Sequence, residues 1–188
     1  MSPLQPASLA SLRVSKHHIS AYQNFPNTSL RPYPFMIYHS AYSPSSLSAS
    51  SVEQHLRSIG VVNPAWRYTM YKQHHYHSNV DEVLVVVKGS AKLCFGGSLS
   101  NPDKLEVEVS KGDAMIVPAG VGHALLEDKS EDEPFQMVGS YPIGSKNWDM
   151  CTGEDSDKGS KWKTIRTLGW LRGDPIYGDK GPVLDVGE

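Results

Sequence analysis

The chain has little cysteine and no long hydrophobic run. Only Cys94 and Cys151 occur among 188 residues, too few for a disulfide framework, so we expect two reduced thiols in a cytoplasmic protein. No apolar stretch approaches the roughly 18 residues that a membrane-spanning helix requires. The first residues lack a basic segment followed by an apolar one, so no secretory signal is predicted. The composition thus argues against a disulfide-stapled or transmembrane protein.

An excess of charge of one sign is also missing. Lys and Arg number 18 against 20 Asp and Glu, which gives a net charge of -2. Without a dense basic patch, neither nucleic acid nor a membrane surface is an expected partner. A chain of 188 residues with 39% hydrophobic residues can bury a substantial core as one domain.

One segment has the pattern of a helix, and most of the later chain has the pattern of short strands. In residues 50–59, Ser50 and Glu53 have capping-box spacing and Gly60 follows as a C-terminal cap. Farther on, apolar or alternating runs are separated by Gly and Pro. The predicted strands are 67–76, 82–87, 91–95, 105–109, 114–117, 122–126 and 135–141. Such a series is typical of an all-β barrel or a double-sheet jelly roll.

The chain divides by composition into three parts of a single domain. Prolines interrupt residues 1–50, which predicts an extended N-terminal arm whose residues 30–38 could add a strand at a sheet edge. Residues 51–145 form the predicted barrel. Residues 146–188 are loop-rich, and we expect them to wrap the barrel with Trp148, Trp162 and Trp170 as packing anchors.

Histidines at alternate positions carry the chemistry. In an extended segment His75 and His77 point to one face and His74 points to the other. A carboxylate from the next strand, Glu82, and an imidazole from a third, His123, would complete a pocket of three nitrogens and one oxygen. Such a set suits divalent Fe, Mn, Ni, Zn or Cu. Two alternate histidines alone are more often a solvated surface cluster.

The spacing of these residues resembles the two motifs of the cupin superfamily. The first is matched by His75-Tyr76-His77, Glu82 and Gly89, and the second by Gly112, Pro118-Ala119-Gly120 and His123. The chain more closely resembles a subgroup of small single-domain bacterial and fungal cupins, the YjlB-like group. The further matching stretches are 66–67, 95–97 and 174–178. Thr69 departs from the glycine that usually opens the first motif, and Glu127 from the asparagine that usually closes the second.

The resemblance implies a fold, a cofactor and an assembly. The fold is the cupin double-stranded β-helix, a jelly-roll barrel, here with a short helix and the extended N-terminal arm. The cofactor is one divalent metal ion (Fe, Mn, Ni or Zn), and its ligands are His75, His77, Glu82 and His123. In an octahedral arrangement these ligands leave two positions open, as in a working site rather than a closed structural one. A homodimer joined through sheet edges and N-terminal arms is also expected.

Residues near the ligands in sequence are candidates for the remaining roles. A substrate-binding pocket is predicted from Trp66, Arg67, Met70 and Phe95, although aromatics on barrel strands more often belong to the core. Arg67 could bind a substrate carboxylate or phenolate, or equally form a structural ion pair. The candidate general bases are Tyr71, Tyr76 and Glu127.

Two functions remain open at this stage. The first is a mononuclear metal-dependent cupin enzyme acting on a small organic molecule. Its reaction is either a dioxygenase-type oxidation or a non-redox isomerisation, dehydration or decarboxylation. The alternative is a module that binds a metal and a small ligand without turnover.

Overall fold

Two antiparallel sheets form the body of the protein. The computed structural model describes residues 3–154 and 156–186. The remaining residues of the predicted arm (1–2) and of the predicted C-terminal segment (155 and 187–188) lie outside the described residues. The strands are β1 Arg13–His17, β2 Phe35–His39, β3 Val62–Tyr68, β4 Glu82–Lys88, β5 Ser90–Phe95, β6 Leu105–Ser110, β7 Ala114–Val117, β8 His123–Asp128 and β9 Gln136–Pro142. The six-stranded sheet has the order β1-β2-β7-β4-β9-β3 and the three-stranded sheet the order β6-β5-β8.

Two cores lie on opposite faces of the six-stranded sheet. In β4, Leu84 and Val86 face the core shared with the smaller sheet, whereas Val83 and Val85 face the core beneath the first helix. A strand that is buried on both faces needs apolar residues at successive positions, which explains the continuous apolar run in the sequence. The resulting jelly roll agrees with the predicted all-β class.

The first helix, α1 (Ala49–Ile59), packs its buried Val52 and Leu56 on the larger sheet. Its N-cap is Ser48, which shares a reciprocal capping box with Ser51, and Gly60 closes the helix at φ 76°. The helix was therefore predicted correctly, but its cap lies two residues before the predicted Ser50. A serine-rich stretch offers several equivalent caps, so spacing alone could not choose among them.

The N-terminal part contributes two strands to the larger sheet. The predicted edge strand at 30–38 is corrected: β2 pairs with β1 on one side and with β7 on the other. Met36 and Tyr38 face one core while Phe35 and Ile37 face the other. Pro34 precedes the strand, so its missing N–H leaves the hydrogen-bond ladder intact.

The C-terminal part contains a second helix that the sequence did not predict, α2 (Lys158–Thr167). Only Ile165 of this helix is buried, so it lacks the apolar stripe by which helices are recognised. Beyond it, Trp170 stacks on Tyr33 with ring centroids 4.2 Å apart and donates from Nε1 to the carbonyl of Val183. Neither helix in the described part of the chain has the length and apolar character needed to cross a membrane.

Candidate metal centre

The backbone brings the histidines together across two chain segments. The predicted strand 67–76 shares only residues 67 and 68 with β3, which begins at Val62 and stops at Tyr68. His75 then lies in an isolated antiparallel bridge with His123, in which each N–H donates to the other residue's carbonyl at 3.2 and 2.8 Å. The carbonyl of His77 accepts the N–H of Gly120 at 2.8 Å. The extended segment 75–77 is thus joined to the start of β8, and its alternation directs both histidine rings inward.

Three imidazole rings converge on one point. One ring nitrogen from each of His75, His77 and His123 lies within 4.8 Å of the others, and all three residues are buried. Glu82, the first residue of β4, faces the same point with Oε1 3.5 Å from His77 Nε2 and Oε2 3.6 Å from His123 Nε2. His74 does not belong to this group.

Hydrogen bonds to backbone carbonyls orient all three rings. His75 Nδ1 lies 3.0 Å from the carbonyl of Gln73, and His123 Nδ1 lies 2.9 Å from that of Val121. His77 Nδ1 bonds to the carbonyl of Asp149. A carbonyl oxygen can only accept a hydrogen bond, so each Nδ1 carries a proton, and a ring that is neutral presents an unprotonated Nε2. This is the tautomer in which a metal-ligating histidine is held.

Asp149 secures the ring of His77 through a network of its own. Its carboxylate accepts the N–H of Ser78 at 2.7 Å, the hydroxyl of Ser78 at 2.6 Å and the ammonium of Lys161 at 2.7 Å. The side-chain oxygen of Asn79 accepts the N–H of Asp149 at 3.2 Å. The loop after β9 is therefore tied both to the histidine segment and to α2.

The electrostatics favour an ionised Glu82 carboxylate beside two neutral imidazoles, those of His75 and His123. Burial opposes ionisation of Glu82, but His77, His123 and the Tyr141 hydroxyl outweigh it and lower its pKa to about 2. Burial lowers the pKa of His123 to about 3, and the neighbouring His75 adds to this effect. Burial also lowers the pKa of His75. Burial acts in the same direction on His77, yet the Glu82 carboxylate raises the pKa of that ring above its usual value.

This donor set fits a divalent cation. Two ligands about 2.1 Å from a shared ion and at a right angle lie about 3 Å apart, close to the separations between the Glu82 oxygens and the histidine nitrogens. Metal ligands must be deprotonated, and this is the state in which the site holds Glu82, His75 and His123. The three histidines could therefore hold a metal ion, and Glu82 is placed to join them.

A cavity of about 260 Å³ opens from this cluster. Its walls are mainly aromatic and sulfur-containing side chains, and the cluster lies at its floor. The residues that line it are Trp66, Arg67, Tyr68, Thr69, Met70, Tyr71, His75, His77, Glu82, Leu84, His123, Met137, Tyr141 and Trp148. Its volume is slightly below the range of about 300–1,000 Å³ that accommodates drug-sized ligands, so it suits a smaller molecule.

A hydrogen-bonded chain supports Glu82 from the cavity wall. A Cβ on Gly139 would lie 2.0 Å from the Trp66 ring, so only glycine allows this indole to lie against β9. Trp66 Nε1 donates to the Tyr141 hydroxyl at 2.9 Å, and that hydroxyl donates to Glu82 Oε1 at 2.9 Å. The carboxylate is thus held in place from the cavity wall, and the Tyr141 ring also lies against that of His77, with centroids 6.0 Å apart.

The structure brings four of the predicted pocket and base residues to the cavity: Trp66, Arg67, Met70 and Tyr71. Arg67, for which two roles were open, pairs with Glu53 of α1 at 2.6 and 3.1 Å and with the Ser50 hydroxyl at 3.0 Å. Its guanidinium is therefore engaged in an ion pair on the outer side of β3. Tyr71 is 48% exposed at the cavity mouth, with its ring 5.6 Å from that of His75.

Three other predicted residues lie away from the cavity, which corrects their expected positions. Tyr76 is buried against Phe25 on the opposite side of the histidine segment, because the alternation that directs His75 and His77 inward directs Tyr76 outward. Phe95 is fully buried and stacks on Phe35 in the core. Glu127 is exposed on β8 opposite Lys92.

Several residues at the site were not predicted from the sequence. Tyr141, Trp148 and Asp149 contact Glu82 or His77, and Tyr68, Leu84 and Met137 line the cavity. Tyr141 ends a strand that was correctly predicted, so its hydroxyl could have been considered. Trp148 was predicted only as a packing anchor, yet its ring lies 5.4 Å from that of His77 and is 42% exposed. Asp149 belongs to no motif, and its role depends on a loop whose path only tertiary structure determines.

We expect Tyr141→Phe to weaken metal binding about 10–100-fold, the usual cost of removing a partner that orients a metal ligand. The change deletes the hydroxyl that bonds to Glu82 while keeping the ring that packs against Trp148. Competition with a chelator of known affinity would measure the loss. Tyr38→Phe is the matched control, because its hydroxyl bonds to the distant Asp174; equal losses in both variants would contradict a role specific to Glu82.

Comparisons with known proteins agree with this architecture. The family model described as a cupin domain matches residues 69–139, which include all three histidines and Glu82. The uncharacterized protein YjlB of Bacillus subtilis (strain 168) is 32% identical over 154 residues, covering 82% of this chain and 86% of that protein.

The solved structures that match are those of longer chains with low sequence identity to this one. A mutant of Bacillus subtilis oxalate decarboxylase matches with a TM-score of 0.38 and 16% identity, over 63% of this chain and 27% of that one. Momordica charantia 7S globulin matches with a TM-score of 0.36 and 19% identity, over 62% of this chain and 32% of that one. This chain therefore spans about a third or less of these solved chains. From the domain match and the relationship to YjlB, the chain belongs to the cupin family.

Proposed function

We propose that this cupin is a mononuclear metal-dependent enzyme that acts on a small organic molecule. The observation that carries the proposal is the convergence of three imidazole rings and one buried carboxylate at the floor of a cavity. A closed structural site would satisfy the cation entirely with protein groups, whereas four ligands that face a cavity leave room for a fifth partner. When bound, the cation would supply Lewis acidity toward a substrate oxygen, or redox chemistry if it is iron.

The protein's own groups would bind the substrate and shield it from water. Trp66, Met70 and Trp148 surround the space above the histidines, so a bound molecule loses much of its contact with solvent. Tyr141 is already engaged with Glu82, which leaves its hydroxyl unsuited to a second role. Of the three bases predicted from the sequence, Tyr71 is the one at the cavity, and we propose it as the group that exchanges a proton with the substrate.

The reaction class depends on the cation. Iron would direct the site toward oxidation by dioxygen, whereas manganese, nickel or zinc would direct it toward isomerisation, dehydration or decarboxylation. The same donors could also hold a metal and a ligand without turnover, which is the alternative function. Glu82 and the three histidines suit each of these reactions and the non-catalytic alternative equally, so the identity of the bound metal and the turnover assays distinguish them.

The test is elemental analysis of protein purified without added metal, followed by turnover assays. We expect about one equivalent of a transition metal per chain, removal of that metal by a chelator, and consumption of substrate or dioxygen that stops when the metal is removed. Protein that stays free of metal after incubation with Fe, Mn, Ni and Zn would refute the metal centre. A metal-loaded protein that turns over no substrate in a broad panel would favour the non-catalytic alternative.

Two further expectations stay predictions. A cytoplasmic location is consistent with Cys94 and Cys151, which are both buried and unbridged, and fractionation of cells would test it. The homodimer would be contradicted by sedimentation at the 20.7 kDa mass of one chain.

A further inference from the structure

The cavity walls select for an aromatic ligand. Five aromatic side chains border the space: Trp66, Tyr68, Tyr71, Tyr141 and Trp148. Met70 and Met137 add sulfur atoms, which make favourable contacts with aromatic rings. The rings at the mouth are solvent-exposed, with Tyr68 at 53%, Tyr71 at 48% and Trp148 at 42%. Exposed aromatic surface around a concave site is typical of ligand recognition rather than of a folded core.

The size of the cavity limits the ligand to about one ring. An apolar cavity of about 150 Å³ is enough to bind benzene. The cavity above the histidines measures about 260 Å³, which leaves space for one substituted ring.

The charges at the cavity exclude a short dicarboxylate. Arg67 is the one lining residue in the described chain with a permanent positive charge, and its guanidinium is occupied by Glu53 and Ser50. A divalent ion beside the single carboxylate of Glu82 leaves one net positive charge, which one phenolate oxygen balances. A second carboxylate on the ligand would stay unpaired among apolar walls, where an unpaired charge is costly.

One residue that lines the cavity carries a polar group without a partner among the described residues. The Thr69 hydroxyl oxygen is buried without a hydrogen bond among the described residues, and Thr69 lines the cavity. A buried hydroxyl without a partner is rare in folded proteins. This threonine occupies the position where the cupin motif usually has glycine, so the hydroxyl is a feature of this chain rather than of the motif.

We infer that the ligand is a single-ring phenol that carries a second, uncharged polar group, with the phenol oxygen toward the histidines and the second group bonded to Thr69. This inference rests on the proposed metal-dependent function. It assigns Trp148 and Thr69 as specificity-determining residues: Trp148 by stacking on the ring, and Thr69 by hydrogen bonding.

The experiment is calorimetric titration of the full chain loaded with zinc, which does not undergo redox chemistry. The probes are phenol, the three dihydroxybenzenes, cyclohexane-1,2-diol and malonate. We expect at least one dihydroxybenzene to bind 10-fold or more tightly than both non-aromatic probes. Malonate binding as tight as the best phenol would overturn the inference, as would equal affinity for cyclohexane-1,2-diol.

Two variants test the assigned residues. Trp148→Ala should lower the affinity for the phenol that binds most tightly about 3-fold to 10-fold, in line with the strength of a stacked aromatic pair. Leu99→Ala, which removes another exposed apolar side chain that lies outside the cavity, should leave the affinity for the phenol unchanged. Thr69→Val should lower the affinity for the dihydroxybenzene that binds most tightly about 3-fold to 10-fold. It should leave the affinity for phenol unchanged, because phenol lacks the second polar group. Equal losses for both compounds would reject the hydrogen bond.

Zinc content measured before each titration separates the two hypotheses. Protein that binds no zinc would refute the proposed function itself. Protein that holds one zinc per chain, yet binds malonate as well as it binds phenols, would refute only the ligand class.

Discussion

His123→Ala is expected to abolish stoichiometric metal binding, with at least a 100-fold loss of affinity. His123 is 2% exposed, belongs to the three-nitrogen cluster and lies 3.6 Å from Glu82. Alanine would remove one of four donors and leave a void that no neighbouring ligand can reach, because the other rings are fixed by carbonyl hydrogen bonds. Metal content after incubation with one equivalent of zinc and gel filtration gives the measurement.

The same histidine segment provides the matched control. His74 is adjacent to His75 but is not part of the cluster, so His74→Ala should keep one equivalent of metal. His75→Ala should lose it, as His123→Ala does. Metal retained in both ligand variants would refute the site, and metal lost from His74→Ala would indicate that the segment is oriented differently. Circular dichroism of each variant would separate loss of metal from loss of fold.

The ligand set could be predicted because the spacing of the motif residues in the sequence determines which of them face the same side of the barrel. His75 and His77 alternate, Glu82 opens the next strand and His123 opens a third, so linear spacing translates directly into one shared face. The strands β4 to β9 were predicted within two residues for the same reason, since Gly- and Pro-containing turns separate short apolar runs. Alternation would also have excluded Tyr76 from the cavity, had it been applied to the residue between the two histidines.

The remaining parts depend on contacts that the sequence does not encode locally. β2 looked like an edge strand because of its flanking prolines, yet it is buried on both sides. The roles of Tyr141 and Asp149 come from hydrogen bonds to residues 59 and 72 positions earlier in the chain. From the sequence, Arg67 could equally bind a substrate or form a structural ion pair. The position of α1 places Glu53 beside it, and the two form the ion pair.

Asp81→Ala is expected to lower the free energy of unfolding by about 3–5 kcal/mol. This is the usual cost of removing one partner of a buried ion pair and leaving the other charge unpaired. Asp81 and Arg31 form an ion pair whose side chains are only 3% and 4% exposed. Asp81 also accepts the N–H of Ala119 at 2.8 Å, in the turn that leads to His123. The change would leave the Arg31 guanidinium buried beside the rings of Tyr33 and Trp170 and without its carboxylate partner.

Urea unfolding of metal-free protein would measure this loss without a contribution from metal binding. Glu133→Ala, which breaks an exposed ion pair with Lys88, should leave the midpoint nearly unchanged. The double variant Arg31→Met with Asp81→Asn should recover most of the stability, because it removes the stranded charge and keeps an oxygen for Ala119. A double variant no more stable than Asp81→Ala would mean that the stranded charge is not the cause. Recovery would identify the unpaired Arg31 charge, rather than the loss of the Asp81 side chain itself, as the cause of the instability.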